Sequence, residues 1–198
     1  MSEPRIGRVL VASLHQAIAD LLPTRLEFYE NWLNVSGLRE GTIGLAPLSA
    51  VLSFLRTEGE AYNLITSRAG EYAADWTVDN VPAFERRIVR ALPSVLRARA
   101  GLRTARGLIR STYPGSRAIT RVKRGIVSVD LRGSLFCEVR EASVLPLCGF
   151  YASAIAWWRL ATSTRPMRGS LIGSTDVHAG SCGEERLGVA RSGRPAQF

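Results

Sequence analysis

The sequence predicts an α+β fold, a single domain in which helices pack on an antiparallel sheet. Two observations predict it. Apolar residues recur at three- and four-residue steps through residues 6–22 and 94–112, as they do in helices with one buried face. After Tyr113-Pro114-Gly115-Ser116 the period changes to two, as it does in half-buried strands. A chain of 198 residues suits one domain.

The first helix is expected over residues 6–22, with Ile6, Val9, Leu10, Leu14, Ala17, Ile18 and Leu21 on its apolar stripe. Pro23 stops it. Thr24-Arg25-Leu26-Glu27 has the capping-box pattern and introduces a second helix carrying Leu26, Phe28, Tyr29, Trp32 and Leu33. Residues 36–46, with Gly37, Gly41 and Gly44, read as a loop. Pro47 then opens a helix that runs to about Trp76, because its missing N–H costs nothing in a first turn. Gly59 and Gly70 inside that helix mark breaks or close helix contacts.

Residues 94–112 give the cleanest helix. Val95, Ala98, Leu102, Ala105 and Ile109 form one stripe, and Arg99, Arg103, Arg106 and Arg110 form another one position on. The first stripe can bury while the second stays in water. Ser94 after Pro93 is its expected N-cap. A strand over residues 117–122, a turn at Lys123-Arg124-Gly125, a strand over 126–131, a turn at Gly133 and a third strand over 135–139 make an antiparallel meander. Residues 148–160 form a helix rich in large aromatics. Residues 1–175 are expected to hold the domain, with a strand near 170–175, and residues 176–198 a poorly ordered tail.

Charge is uneven along the chain. Net charge is +9, and the basic residues are Arg except for Lys123. Residues 1–85 carry 6 basic and 11 acidic groups, whereas residues 86–124 carry 12 basic and none acidic. The basic stretch lacks the interleaved aromatics and groove-reading motifs of nucleic-acid binders, so no nucleic-acid partner is expected. It reads as a solvated face that pairs with the acidic first half, or as a dock for an anionic ligand or partner.

Several chemistries lack their signature. No G-x-G-x-x-G follows a strand and no G-x-x-x-x-G-K-[ST] occurs, so the common nucleotide fingerprints are missing. Asp176 and His178 come with no nucleophile elbow. His15 lies among apolar neighbours and reads as structural. Cys137, Cys148, Cys182 and His178 match no standard zinc spacing, and no structural metal is expected. Each Cys is either small core packing or pocket lining. Phe136, Phe150, Tyr151, Trp157 and Trp158 either line a pocket for a large flat apolar ligand or form core.

Met1-Ser2-Glu3-Pro4-Arg5 leads into no apolar run with a small-residue cleavage site, so a reducing cytoplasm and free thiols are expected. The longest charge-free run, between Glu141 and Arg159, has 17 residues and contains Pro146 and Gly149, so no transmembrane segment is expected.

Four stretches carry a resemblance. Arg132-Gly133-Ser134-Leu135-Phe136-Cys137-Glu138-Val139-Arg140 followed by Leu147-Cys148-Gly149-Phe150-Tyr151-Ala152 resembles the vinyl-4-reductase domain family. Leu55-Arg56-Thr57-Glu58-Gly59-Glu60-Ala61-Tyr62 and Arg68-Ala69-Gly70 are similar to the helical first half of such proteins. The resemblance covers roughly residues 5–160. That family shares its fold with the small subunits of the TRAPP vesicle-tethering complex, so the resemblance implies a TRAPP-small-subunit-like domain. It implies a role in bacteriochlorophyll biosynthesis, at reduction of the 8-vinyl (older 4-vinyl) group of protochlorophyllide.

Two mechanisms follow from it: a reductase that borrows a hydride from NADPH or a partner, or an accessory protein that binds the pigment and presents it to another pigment-synthesis enzyme. The alternative is a dimeric assembly or tethering subunit with no small-molecule ligand. The expected partner is a chlorophyllide-type tetrapyrrole, met in the cytoplasm or at the edge of the photosynthetic membrane. Phe136, Cys137, Cys148, Phe150, Tyr151 and Trp157 are the expected ligand-binding residues. One departure is visible: the family's closing strand carries two cysteines, and here Cys182 stands alone in Gly180-Ser181-Cys182-Gly183.

Overall fold

The computed structural model describes residues 5–33, 42–123, 126–138, 149–162, 177–178 and 185–189. Strand β1 (Arg5–Gly7) pairs antiparallel with β2 (Thr42–Gly44). Helix α1 (Arg8–Leu21) follows β1 directly, and a 3-10 turn (Pro23–Arg25) leads into α2 (Leu26–Leu33). Helices α3 (Leu45–Thr57), α4 (Glu60–Asp79), α5 (Ala83–Ala91) and α6 (Ser94–Thr112) come next. The hairpin β3 (Arg117–Lys123) and β4 (Ile126–Arg132) is followed by a one-turn helix α7 (Leu135–Glu138) and by α8 (Gly149–Thr162). Strands β5 (Val177–His178) and β6 (Glu185–Val189) complete a four-stranded antiparallel sheet in the order β3-β4-β6-β5.

The α+β class is therefore present, with helices as its larger part. Helix α4 lies between α1 and α8, and α8 in turn packs on α6. Leu102 and Ala105 of α6, Val129 of β4 and Ile155 of α8 form a small cluster that joins helices to sheet. The main core joins Leu10, Leu14 and Ile18 of α1 to Ile65, Ala69 and Ala73 of α4 and Phe150 and Ala154 of α8. Ala and Gly on α4 let both neighbours approach closely. A Cβ placed on Gly70 would run into the carbonyl oxygen of Phe150. Gly59, at φ +65°, provides the break between α3 and α4 that its position suggested.

Helix α6 has the predicted bounds. Leu102, Ala105 and Ile109 are buried and Arg99, Arg103, Arg106 and Arg110 are exposed. The side chains of Val95 and Ala98 lie outside the described residues. Strands β3 and β4 pair antiparallel as the alternation predicted, in a register from Arg117 with Arg132 to Lys123 with Ile126, so that Lys123 belongs to the strand and not to the turn.

Other expectations are corrected. The third strand is a helical turn: Leu135 and Phe136 are adjacent and both fully buried. A strand would send them to opposite faces, whereas one turn of helix directs both inward. The sheet position beside β4 is taken by β6, from the segment read as a tail. Thr24 sits in the 3-10 turn, and α2 has no capping box of the predicted kind. Helix α3 begins at Leu45 with Pro47 as its third residue, still among the N–H groups that have no intrahelical partner. Pro93, not Ser94, precedes the first residue of α6, and no side chain caps it. The expected strand near 170–175 lies outside the described residues.

Candidate functional site

The aromatic residues singled out by the sequence meet in one place. Phe136 of α7 stacks on Phe150 of α8 with ring centroids 5.5 Å apart and planes inclined at 25°. Tyr151 meets both rings edge-on, at 5.5 Å from Phe136 and 5.2 Å from Phe150. All three are fully buried. Their faces are occupied by one another, so a ligand reaches them only by displacing core packing. Trp157, two turns further along α8, packs against the same core but stays partly exposed.

Polar bonds fix each ring. The Tyr151 hydroxyl lies 3.1 Å from Thr112 Oγ1 at the end of α6. Thr112 donates its own proton to the Ile109 carbonyl at 2.7 Å, so Tyr151 is the donor of the pair. The Trp157 indole N–H donates to Asp75 Oδ1 on α4. Arg56 of α3 donates from Nη2 to the Phe136 carbonyl at 2.5 Å, and its guanidinium lies 6.0 Å from the Tyr62 ring centroid.

These contacts bring together the stretches that carry the resemblance. Arg56 and Tyr62 come from residues 55–62, Gly70 from residues 68–70, Phe136 from residues 132–140, and Phe150 and Tyr151 from residues 147–152. Gly70 lets Phe150 approach, and Arg56 holds the turn that carries Phe136. Sequence reading missed Thr112 and Asp75, whose partners lie 39 and 82 residues away. No local pattern announces a contact at that separation.

Cys148 and Cys182 lie outside the described residues, as does the side chain of Cys137. His178 is in β5, and Asp176 lies outside the described residues. Among the described residues, no three His, Cys, Asp or Glu side chains gather as metal ligands would. His15 Nε2 lies 2.8 Å from Glu30 Oε1 and ties α1 to α2.

The surface differs in character from this centre. Phe28 and Trp32 of α2 and Phe54 of α3 form an exposed aromatic cluster, with Phe28 and Trp32 lying 5.2 and 5.5 Å from Phe54. The basic segment lies mostly in water: Arg86 pairs with Asp79 at 3.4 Å, and Arg87, Arg90, Arg99 and Arg103 are exposed. Among the described residues, no helix is long and apolar enough to cross a membrane. Comparison with family models, with curated proteins and with solved structures finds no match for the chain.

Proposed function

We propose that the chain binds a chlorophyllide-type tetrapyrrole at or next to reduction of the 8-vinyl group of protochlorophyllide, on a TRAPP-small-subunit-like fold. In this reading it presents the pigment to a separate reductase. The supporting observation is the convergence of Arg56, Tyr62, Gly70, Phe136, Phe150 and Tyr151 on one aromatic centre. Trp157 at its partly exposed edge is the ring with a face to offer, and the buried rings behind it hold α8 in place. Apolar contact with the macrocycle provides most of the affinity, and an arginine forks onto its carboxylate to set orientation.

Optical titration with protochlorophyllide tests this. Saturable binding in the micromolar range is expected, and Trp157→Ala should weaken it about tenfold, the scale of losing one buried aromatic face. Absence of saturable binding overturns the proposal. Turnover of the pigment by the purified chain with NADPH would make it the reductase itself.

The second reading is a dimeric assembly or tethering subunit without a small ligand. It is favoured by the complete burial of Phe136, Phe150 and Tyr151 together with the exposure of Phe28, Trp32 and Phe54. Light scattering decides it: a dimer that Trp32→Ser and Phe54→Ser dissociate, in a chain that ignores the pigment, supports this reading.

A further inference from the structure

Helix α5 is amphipathic with its apolar side turned outward. At 100° per residue, Phe84, Ile88 and Ala91 share one face, and Val89 and Arg86 lie roughly opposite. A helix of a globular protein buries the first set. Here Phe84 is 72% exposed and Ile88 46%, while Val89 and Arg86 are only partly exposed. Arg86 reaches back to Asp79 at the end of α4. The helix is thus attached by its Val89–Arg86 side, and none of its residues is buried. Leu96 in the first turn of α6 adds a third large apolar side chain, 44% exposed.

The charge around this face is mainly positive: Glu85 on α5 and Asp79 at the end of α4 are the acidic residues near it, and Asp79 is paired with Arg86. Arg87 lies beside it on α5, Arg90 is exposed further round the same helix, and Arg99, Arg103, Arg106 and Arg110 are exposed along α6. From residue 86 to residue 124 there are 12 basic groups and no acidic one. Scattered exposed apolar residues need no explanation. An aromatic and an isoleucine on the outward face of a short helix within a broad arginine field do need one.

We propose that α5 docks the protein on an anionic lipid surface. Phe84 and Ile88 enter the acyl boundary, and Arg87 and Arg90 extend their stems to reach lipid phosphates. The arginines of α6 add long-range attraction to the charged leaflet. An acidic protein groove would match a compact charge cluster, whereas exposed arginines here run along both α5 and α6. Docking of this kind requires no pigment, so its test stands apart from that of the proposed function.

The experiment is co-sedimentation of the full chain with phosphatidylcholine vesicles, with and without phosphatidylglycerol, at low and high salt. The chain is expected to pellet with anionic vesicles at low salt and to be released by high salt. The double variant F84S/I88S should remain in the supernatant. Its unfolding midpoint should match wild type, because α5 buries no residue. R87Q and R90Q should each weaken partition about fivefold, and they carry the test alone if the double variant loses its fold. L64S removes an exposed apolar side chain on α4, outside α5 and α6, and should change nothing. Three results would overturn the proposal: no binding of wild type to anionic vesicles at low salt, equal loss in L64S, or retention by polyglutamate with none by vesicles. The last would make the occupant an acidic protein.

Discussion

Tyr151 carries a hydroxyl into the buried core, where it meets Thr112. Tyr151→Phe keeps the ring packing and leaves Thr112 bonded to Ile109, so unfolding in urea should show a loss of about 0.5–1.5 kcal/mol. Gly70→Ala should cost more, about 1–3 kcal/mol, because the Phe150 backbone cannot yield without moving α8. Tyr29 gives the pH dependence. Burial first, and then the negative charge of Glu58, whose Oε1 lies 3.3 Å away, push its phenol from 10.0 to about 12. Between those values the unfolded chain releases a proton that the native chain keeps. Stability from this group is therefore complete below pH about 10 and is lost as pH rises toward about 12. Tyr29→Phe should flatten that part of a melting-temperature profile. None of these three effects is written in the local sequence, since each depends on a partner from another element.

At the scale of elements, α6 was legible because one stripe is buried and the stripe beside it is wet. Leu102→Ala should lose about 2–5 kcal/mol by denaturant unfolding, since Leu102 joins α6 to Val129 and Ile155. Helix α4 was harder to read. It is covered by α1 on one side and α8 on another, so its small apolar residues occupy more than one stripe. Helix α7 was misread because its run of apolar residues is too short for either period to show. Helix α5 was not separated from its surroundings: its pattern is amphipathic, but pattern alone does not say which side turns inward. The capping signals at Thr24 and Ser94 failed for a different reason. Pro23 and Pro93 already fix the backbone entering those segments, and each Ser or Thr falls inside its helical segment instead of at the position before it.

Across the whole molecule, the sequence by itself determined the α+β class, the bounds of α6 and the antiparallel pairing of β3 with β4. It also determined the concentration of positive charge after residue 85. These features rest on local periodicity, turn residues and composition, which act within a few residues of the chain. Tertiary structure decided the rest. It placed β6 beside β4, where sequence reading had expected the stretch that forms α7. It also decided that Phe136, Phe150 and Tyr151 face one another in the core while Phe84 and Ile88 face water. An apolar side chain has the same sequence signature in a core, in a pocket wall and on a docking face. The free energy of burying it depends on which distant surfaces arrive to cover it, and that is settled only when the helices and the sheet have packed.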